Sequence, residues 1–337
     1  MLSENKSAFY FLCIAFLLAF MVILLGAYTR LKDAGLGCPD WPGCYGKLTL
    51  PKQATQLTHG PYSGQKLIPA KAWPEMLHRY AAATLVILTF AAVVLIIYKH
   101  KSSKQPVWIA TNLLFLLFFQ GLLGKWTVTL RLHPLVVMSH LLVGLTLLSL
   151  LWILILRLGR FSIKQTSQSE QQLKKWAVFG LLLVILQISL GGWTSANYAA
   201  FVCPDFPTCQ GVWWPTMNFS EGFQLWLNTN ISYEGGILSH VARTAIQMSH
   251  RIMAVITSIY LGLLVYKLFN ATKRIYLRGL AVLLICLLGL QIILGAFNVL
   301  WVLPLPIAIA HNAVAALLLL TLITINFSLI PNINKLR

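Results

Sequence analysis

Eight long apolar segments dominate this chain of 337 residues and leave it few ways to fold. Each approaches the roughly 20 residues with which an α-helix crosses a lipid bilayer. Only 10% of the residues are charged, whereas a soluble domain has about 25%. Continuous rather than alternating apolar runs favour helices over a closed barrel. The sequence therefore predicts an all-α membrane protein with eight transmembrane helices, near residues 8–28, 74–97, 107–127, 134–157, 173–194, 244–269, 277–297 and 306–329.

The basic residues indicate how the chain lies in its membrane. The formal net charge is +18, and most of the Lys and Arg residues gather at one end of the predicted helices, in 6, 99–104, 157–175, 267–278 and 335–337. This is the positive-inside pattern, and it predicts that both termini are cytoplasmic. The lipid bilayer, and no nucleic acid, is the partner that this charge indicates. The first segment is too long for a signal-peptide core, and no Arg- and Ser-rich transit sequence precedes it, which favours a bacterial plasma (inner) membrane.

The two halves of the chain repeat each other. LLGAYTRLKDAGLGCPDWPGCYG (24–46) matches SLGGWTSANYAAFVCPDFPTCQG (189–211), EMLHR (75–79) matches QMSHR (247–251), and FQGLLG (119–124) matches LQIILG (290–295). Because each repeat contains four spans, both repeats run in the same direction through the membrane. We expect two four-helix bundles, 1–158 and 173–337, joined by a cytoplasmic linker at 159–172.

Four histidines lie in the predicted spans as two matched pairs, His78 with His140 and His250 with His311. Corresponding members are 250 − 78 = 172 and 311 − 140 = 171 residues apart. An ionisable residue in a membrane span is costly and marks a functional site by default. The pairs lie on helices of equal direction and near the outer ends, so two imidazoles can bind one heme iron within each bundle. Structural zinc prefers four ligands and is disfavoured. The remaining histidines are expected to be solvated, namely His59, His100, His133 and His240.

The residues beside these histidines differ between the halves. Glu75 shares a helical face with His78, whereas the corresponding residue of the second half is Gln247. A carboxylate there can move protons, or it can instead stabilise the start of its helix. Arg79 and Arg251 directly follow their histidines and can bind heme propionates or extend towards the outer interface. Arg30 and Arg243 are weaker candidates for the same role.

Two cysteine pairs lie in the predicted outer loops, Cys38 with Cys44 and Cys203 with Cys209. Disulfides persist on this oxidising side of the membrane, and the intervening Pro-Asp-aromatic-Pro suits a tight turn that brings the thiols together. A structural staple is the simpler interpretation, above all for the second pair. A redox or transient covalent role stays open for the first pair.

These motifs together resemble the heme A synthase family in its eight-span, four-cysteine form. The resemblance rests on GLGCPDWPGC (35–44), EMLHR (75–79) and the four matched histidines, and it covers nearly the whole chain. Members of that family oxidise the C8 methyl group of heme O to a formyl group, which gives heme A for terminal oxidases. The resemblance implies that His78 and His140 ligate the substrate heme O, that Glu75 is catalytic, and that His250 and His311 ligate a heme b cofactor. It also implies the disulfide pairs Cys38–Cys44 and Cys203–Cys209.

The implied partners are heme O, supplied by a heme O synthase, and an electron donor and acceptor whose identity the sequence does not give. A homo-oligomer is compatible with the sequence. Two other functions fit part of the pattern: a di-heme b electron carrier or quinol oxidoreductase that modifies no heme, and a transporter built from parallel repeats. The first half has an acid, Glu75, where the second half has the neutral Gln247, and this difference favours the enzyme over the carrier. The position of the histidines near the helix ends disfavours the transporter.

Overall fold

The computed structural model describes residues 6–49, 67–99, 104–159, 168–226, 228 and 231–330. Within these residues, eight helices are long and apolar enough to cross a membrane, which confirms the predicted fold class. In chain order the helices are α1 (Lys6–Leu31), α2 (Pro69–Lys99), α3 (Lys104–Thr129), α4 (Pro134–Leu158), α5 (Gln168–Ala196), the single-turn α6 (Phe219–Gly222), α7 (His240–Ala271), α8 (Ile275–Leu300) and α9 (Leu305–Ser328).

Three helices begin four or five residues earlier than the apolar pattern predicts. α2 begins at Pro69, so Pro74 lies inside this helix and not at its start. Proline is favoured at a first helical position, where the missing amide has no partner in any case. α7 begins at His240 because the Ser239 side chain caps it by accepting a hydrogen bond from the Ala242 amide. The predicted linker 159–172 also overlaps α5, which begins at Gln168.

The helices of the two halves pack in corresponding pairs. In the first half, α1 and α3 each contact α2 and α4; in the second half, α5 and α8 each contact α7 and α9. Between the halves, α4 contacts α5 while α9 contacts α1, and α4 and α9 contact each other. Two four-helix units related by an axis along the membrane normal would pack in this way. The division of the chain into units 1–158 and 173–337 itself stays a prediction.

The tightest packing lies at the inner end of the bundle, defined here as the end remote from the two cysteine loops. Leu148 and Leu154 of α4 are fully buried there, and residues 318–325 of α9 are buried on all sides. Trp152 of α4 donates from Nε1 to Oγ1 of Thr324 on α9 at 2.9 Å, which joins the two halves. The inner end therefore supplies most of the close contact, and the outer end is left for the histidines.

The loop after α1 approaches the first turn of α2 very closely at Gly37. A Cβ atom at this position would lie 2.7 Å from the backbone nitrogen of Ala72 and closer still to the backbone carbonyl of Lys71. Backbone atoms of a helix cannot move aside as the end of a flexible side chain can. Glycine is therefore required at this contact, which fixes the position of the neighbouring Cys38 over α2.

Gly37→Ala is expected to destabilise the protein by about 1–3 kcal/mol, the usual effect of overpacking against rigid neighbours. The measurement is the thermal unfolding midpoint of the purified protein in detergent. Gly121→Ala on α3 is the control, because a Cβ there would meet no atom within 4 Å. A Gly37→Ala protein that unfolds at the temperature of the wild type would contradict this packing.

Candidate functional site

His78 on α2 and His140 on α4 meet at the outer end of the first half. The centroids of their rings are 6.4 Å apart, and the ring planes make an angle of 69°. A metal atom bonded to one nitrogen of each ring, at about 2 Å per bond, separates the centroids by roughly 6 Å. Nδ1 of each ring is buried and has no hydrogen-bond partner among the described residues. The spacing and the unpaired nitrogens suit one metal atom between the two rings.

His250 on α7 and His311 on α9 form the second pair and are close enough to interact electrostatically. The amide nitrogen of Gln187 lies 3.1 Å from Nδ1 of His250 and donates to the backbone carbonyl of the same residue at 3.2 Å. The amide nitrogen of Gln291 lies 3.2 Å from Nε2 of His311. A polar partner beside a metal-binding imidazole orients its ring and selects the nitrogen that carries the proton. Two glutamines therefore hold the second pair.

The helices around both pairs are loosely packed at the outer end. Partly exposed residues follow one another without interruption in 22–28 of α1, 135–144 of α4, 187–191 of α5 and 294–299 of α8. A helix packed directly against its neighbours shows a buried side and an exposed side instead. Because the inward sides of these segments are not fully buried, space remains between the helices beside the rings. Paired imidazoles next to such space fit a heme in each half.

Glu75 lies one helical turn before His78 and is only 5% exposed. Its Oε2 accepts a hydrogen bond from the backbone amide of Cys38 at 2.9 Å, and its Oε1 forms an ion pair with Arg79. Gln247 in the second half is equally buried, and its Oε1 has no partner among the described residues. A carboxylate fixed one helical turn from His78 is therefore a difference between the two sites.

Arg79 and Arg251, the predicted propionate contacts, bind the cysteine loops. Nη1 of Arg79 donates to three carbonyl oxygens within residues 40–43, and Arg251 donates to three carbonyl oxygens within residues 203–208. The arginines directly follow His78 and His250 in the chain, so these bonds tie each histidine-bearing helix to the loop at its outer end. Propionate binding by the same guanidinium groups stays a prediction.

The two cysteine loops have the same internal structure. Disulfides join Cys38 to Cys44 and Cys203 to Cys209. The Asp40 carboxylate accepts hydrogen bonds from the amides of residues 45 and 46 at 2.6 and 2.8 Å, and Asp205 accepts from the amides of residues 210 and 211 at 2.6 and 3.1 Å. The Thr208 hydroxyl, together with these amides, holds the pKa of Asp205 below its usual value. Each loop is thus closed by a disulfide and by an aspartate side chain that accepts two backbone hydrogen bonds.

Comparisons with known proteins agree with this geometry. Residues 9–323 match the model of the COX15-CtaA family of cytochrome oxidase assembly proteins. A heme A synthase of Shewanella oneidensis is 47% identical over 311 residues, which cover 92% of each chain. Heme A synthases of Caulobacter vibrioides and Shouchella clausii are 25% and 24% identical, and the matches cover 90% and 82% of this chain and 90% and 79% of theirs.

The chain belongs to the heme A synthase family. The motif-based resemblance is thereby confirmed. Membership makes the chain an oxidoreductase, and the eight apolar helices make it a multi-pass membrane protein of the bacterial type.

Within this heme A synthase family member, two residues differ from what the sequence indicated. Gln187 was not predicted from the sequence, although the repeat contains a signal for it. The offset 203 − 38 = 165 that aligns the cysteine pairs also aligns Gln187 with Val22, so a polar residue replaces an apolar one beside the second histidine pair. The expectation that His133 is solvated is wrong, since this residue is 5% exposed and its ring packs on Tyr233 at 5.2 Å. His240 is exposed as expected, and His59 and His100 lie outside the described residues.

Arg251→Lys keeps the positive charge but removes the planar guanidinium group, which donates to three carbonyl oxygens of the loop at once. We expect faster hydrogen–deuterium exchange in the loop 203–211 because this loop loses its tie to α7. The exchange is measured by mass spectrometry on the purified protein. Arg79→Lys is the reciprocal control, which should loosen 38–46 and leave 203–211 unchanged. Unaltered exchange in 203–211 together with a changed heme spectrum would show that a propionate, and not the loop, is the main partner of Arg251.

Proposed function

We propose that this chain oxidises the C8 methyl group of heme O to a formyl group and so produces heme A in the first of its two histidine sites. One observation carries the proposal: a buried carboxylate, Glu75, is fixed one turn from His78 in a site whose two rings are spaced for an iron atom. The second site has the neutral Gln247 at the corresponding position. The relatives named heme A synthase support the same assignment.

In the first site, His78 and His140 hold the substrate heme O by its iron and fix the macrocycle relative to α2. Oxidation of a methyl group to a formyl group replaces two C–H bonds by a double bond to an oxygen atom taken from water. The electrons go to an acceptor outside this chain and protons are released, so a base near the substrate assists the reaction. Glu75 is the proposed base. Its two oxygens accept bonds from the amides of Cys38 and Gly37 and from Arg79, which leaves a lone pair for a proton. Those bonds keep the carboxylate in one orientation.

In the second site, His250 and His311 hold a heme b, which supplies electron transfer when bound. Gln187 and Gln291 lie beside these imidazoles and keep the rings in one orientation, as suits a cofactor that stays in place. Gln247 provides no base there. The second half thus serves as the electron-transfer site, and the first half serves as the reactive one.

The membrane placement suits a hydrophobic substrate. Both histidine pairs lie near the outer ends of helices that lipid surrounds, so heme O, supplied by a heme O synthase, can enter sideways from the lipid, while both termini lie in the cytoplasm. An electron acceptor outside this chain completes the oxidation.

Glu75→Gln is expected to keep a heme in each site and to lower heme A formation by about 100-fold or more, the usual contribution of a positioned acid or base. The measurement is chromatography of the hemes extracted after expression with a supply of heme O. Gln247→Glu is the matched control in the other half and should leave heme A formation unchanged.

Wild-type production of heme A by Glu75→Gln would refute the role of this carboxylate. A wild-type protein that binds heme b in both sites and forms no heme A would instead indicate a di-heme electron carrier.

A further inference from the structure

A glycine on a neighbouring helix lies against each of the four histidine rings. In the first half, Gly26 of α1 lies against His78 and Gly124 of α3 against His140. In the second half, Gly191 of α5 lies against His250 and Gly295 of α8 against His311. A Cβ atom built on these glycines would lie 3.1, 3.3, 3.1 and 3.2 Å from Cε1 of the respective rings. Within each half, two helices thus contribute histidines and the other two contribute glycines.

This contact is not a general property of the helical glycines. A Cβ on Gly121, one turn before Gly124 on α3, would meet no atom within 4 Å, and the same holds for Gly289 on α8. The glycines that touch the rings also correspond between the halves, since 191 − 26 = 165 and 295 − 124 = 171. The contact therefore recurs at four corresponding places and is absent from other glycines of the same helices.

The distances show what a side chain would do at these places. Ordinary van der Waals contacts of a Cβ lie at 3.4–4 Å, so a methyl group at 3.1–3.3 Å requires the ring to move by a few tenths of an ångström. In the first half, Nδ1 of His78 and of His140 has no hydrogen-bond partner among the described residues. In the second half, the amides of Gln187 and Gln291 lie beside the His250 and His311 rings on one side, and the glycines meet the rings at Cε1. The backbone of the neighbouring helix is thus the surface on which the ring rests, and metal sites depend on such positioning to about half an ångström.

We propose that Gly26, Gly124, Gly191 and Gly295 are positioning residues of the two heme sites, which set where each imidazole stands relative to the iron. The inference rests on the proposed function in that the rings are taken as heme ligands. It adds that a glycine of the neighbouring helix fixes the position of each imidazole ring. The glycines of one half are expected to affect the heme of that half alone.

The test compares Gly124→Ala with Gly121→Ala on α3, and Gly295→Ala with Gly289→Ala on α8, in the full-length, heme-loaded protein. The readouts are the heme retained per chain and the low-spin EPR signal of each heme, whose largest g value depends on the geometry of the axial imidazoles. We expect Gly295→Ala to shift the signal of the second-half heme or to weaken its retention by about tenfold, as changes around metal-bound histidines do. Gly124→Ala should do the same to the first-half heme alone.

The control variants should match the wild type in both readouts. Heme spectra and retention of Gly124→Ala and Gly295→Ala equal to those of their controls would overturn the proposal. A shift in both hemes from one substitution would overturn it as well, because that result indicates general loosening of the bundle. If a variant is not recovered as monodisperse protein, Gly26→Ala or Gly191→Ala carries the same expectation for the same half. A wild-type protein without heme would refute the proposed function itself.

Discussion

Four imidazole rings inside an apolar helix bundle are the constraint on which the rest of this structure depends. A polar ring in a membrane span is costly unless it finds a partner. The His78 and His140 rings lie beside each other, and glutamines on neighbouring helices contact His140, His250 and His311. The outer segments of the helices around the rings are only partly buried. Close apolar packing is concentrated at the inner end, where Leu148 and Leu154 are fully buried and Trp152 bonds to Thr324. The bundle is thus closely packed at its inner end, and the outer end is left for the proposed cofactor sites.

The two sites are built in the same way and differ at a few positions where the charge or polarity of the side chain changes. The cysteine loops, their aspartates and the arginines that bind them are the same in both halves. Glu75 of the first half corresponds to the neutral Gln247 of the second half, and Val22 corresponds to the polar Gln187. The first site therefore has an acid near its rings, and the second has an additional amide that holds one ring. These differences are the basis of the proposal that the first site performs chemistry and the second holds a resident cofactor.

The parts of the molecule that depend on local pattern could be predicted from the sequence. Apolar runs gave the eight helices, and the repeat gave the histidine pairs. The starts of α2 and α7 were missed because hydropathy marks the lipid-facing part of a helix, whereas Pro69 and Ser239 act at its polar end. Contacts that depend on which helices are neighbours were also missed. His133 is buried by Tyr233, a residue one hundred positions later, and the glycine contacts join helices that no local pattern pairs.

Heme content after removal of one histidine pair at a time tests the central claim most directly. The chain is expressed with a supply of heme O as the wild type, as His78→Ala/His140→Ala and as His250→Ala/His311→Ala, and the extracted hemes are quantified per folded chain. The account predicts that the first double variant keeps heme b and loses heme O and heme A, whereas the second loses heme b and still binds the substrate heme. Loss of every heme from either folded double variant would contradict two separate sites.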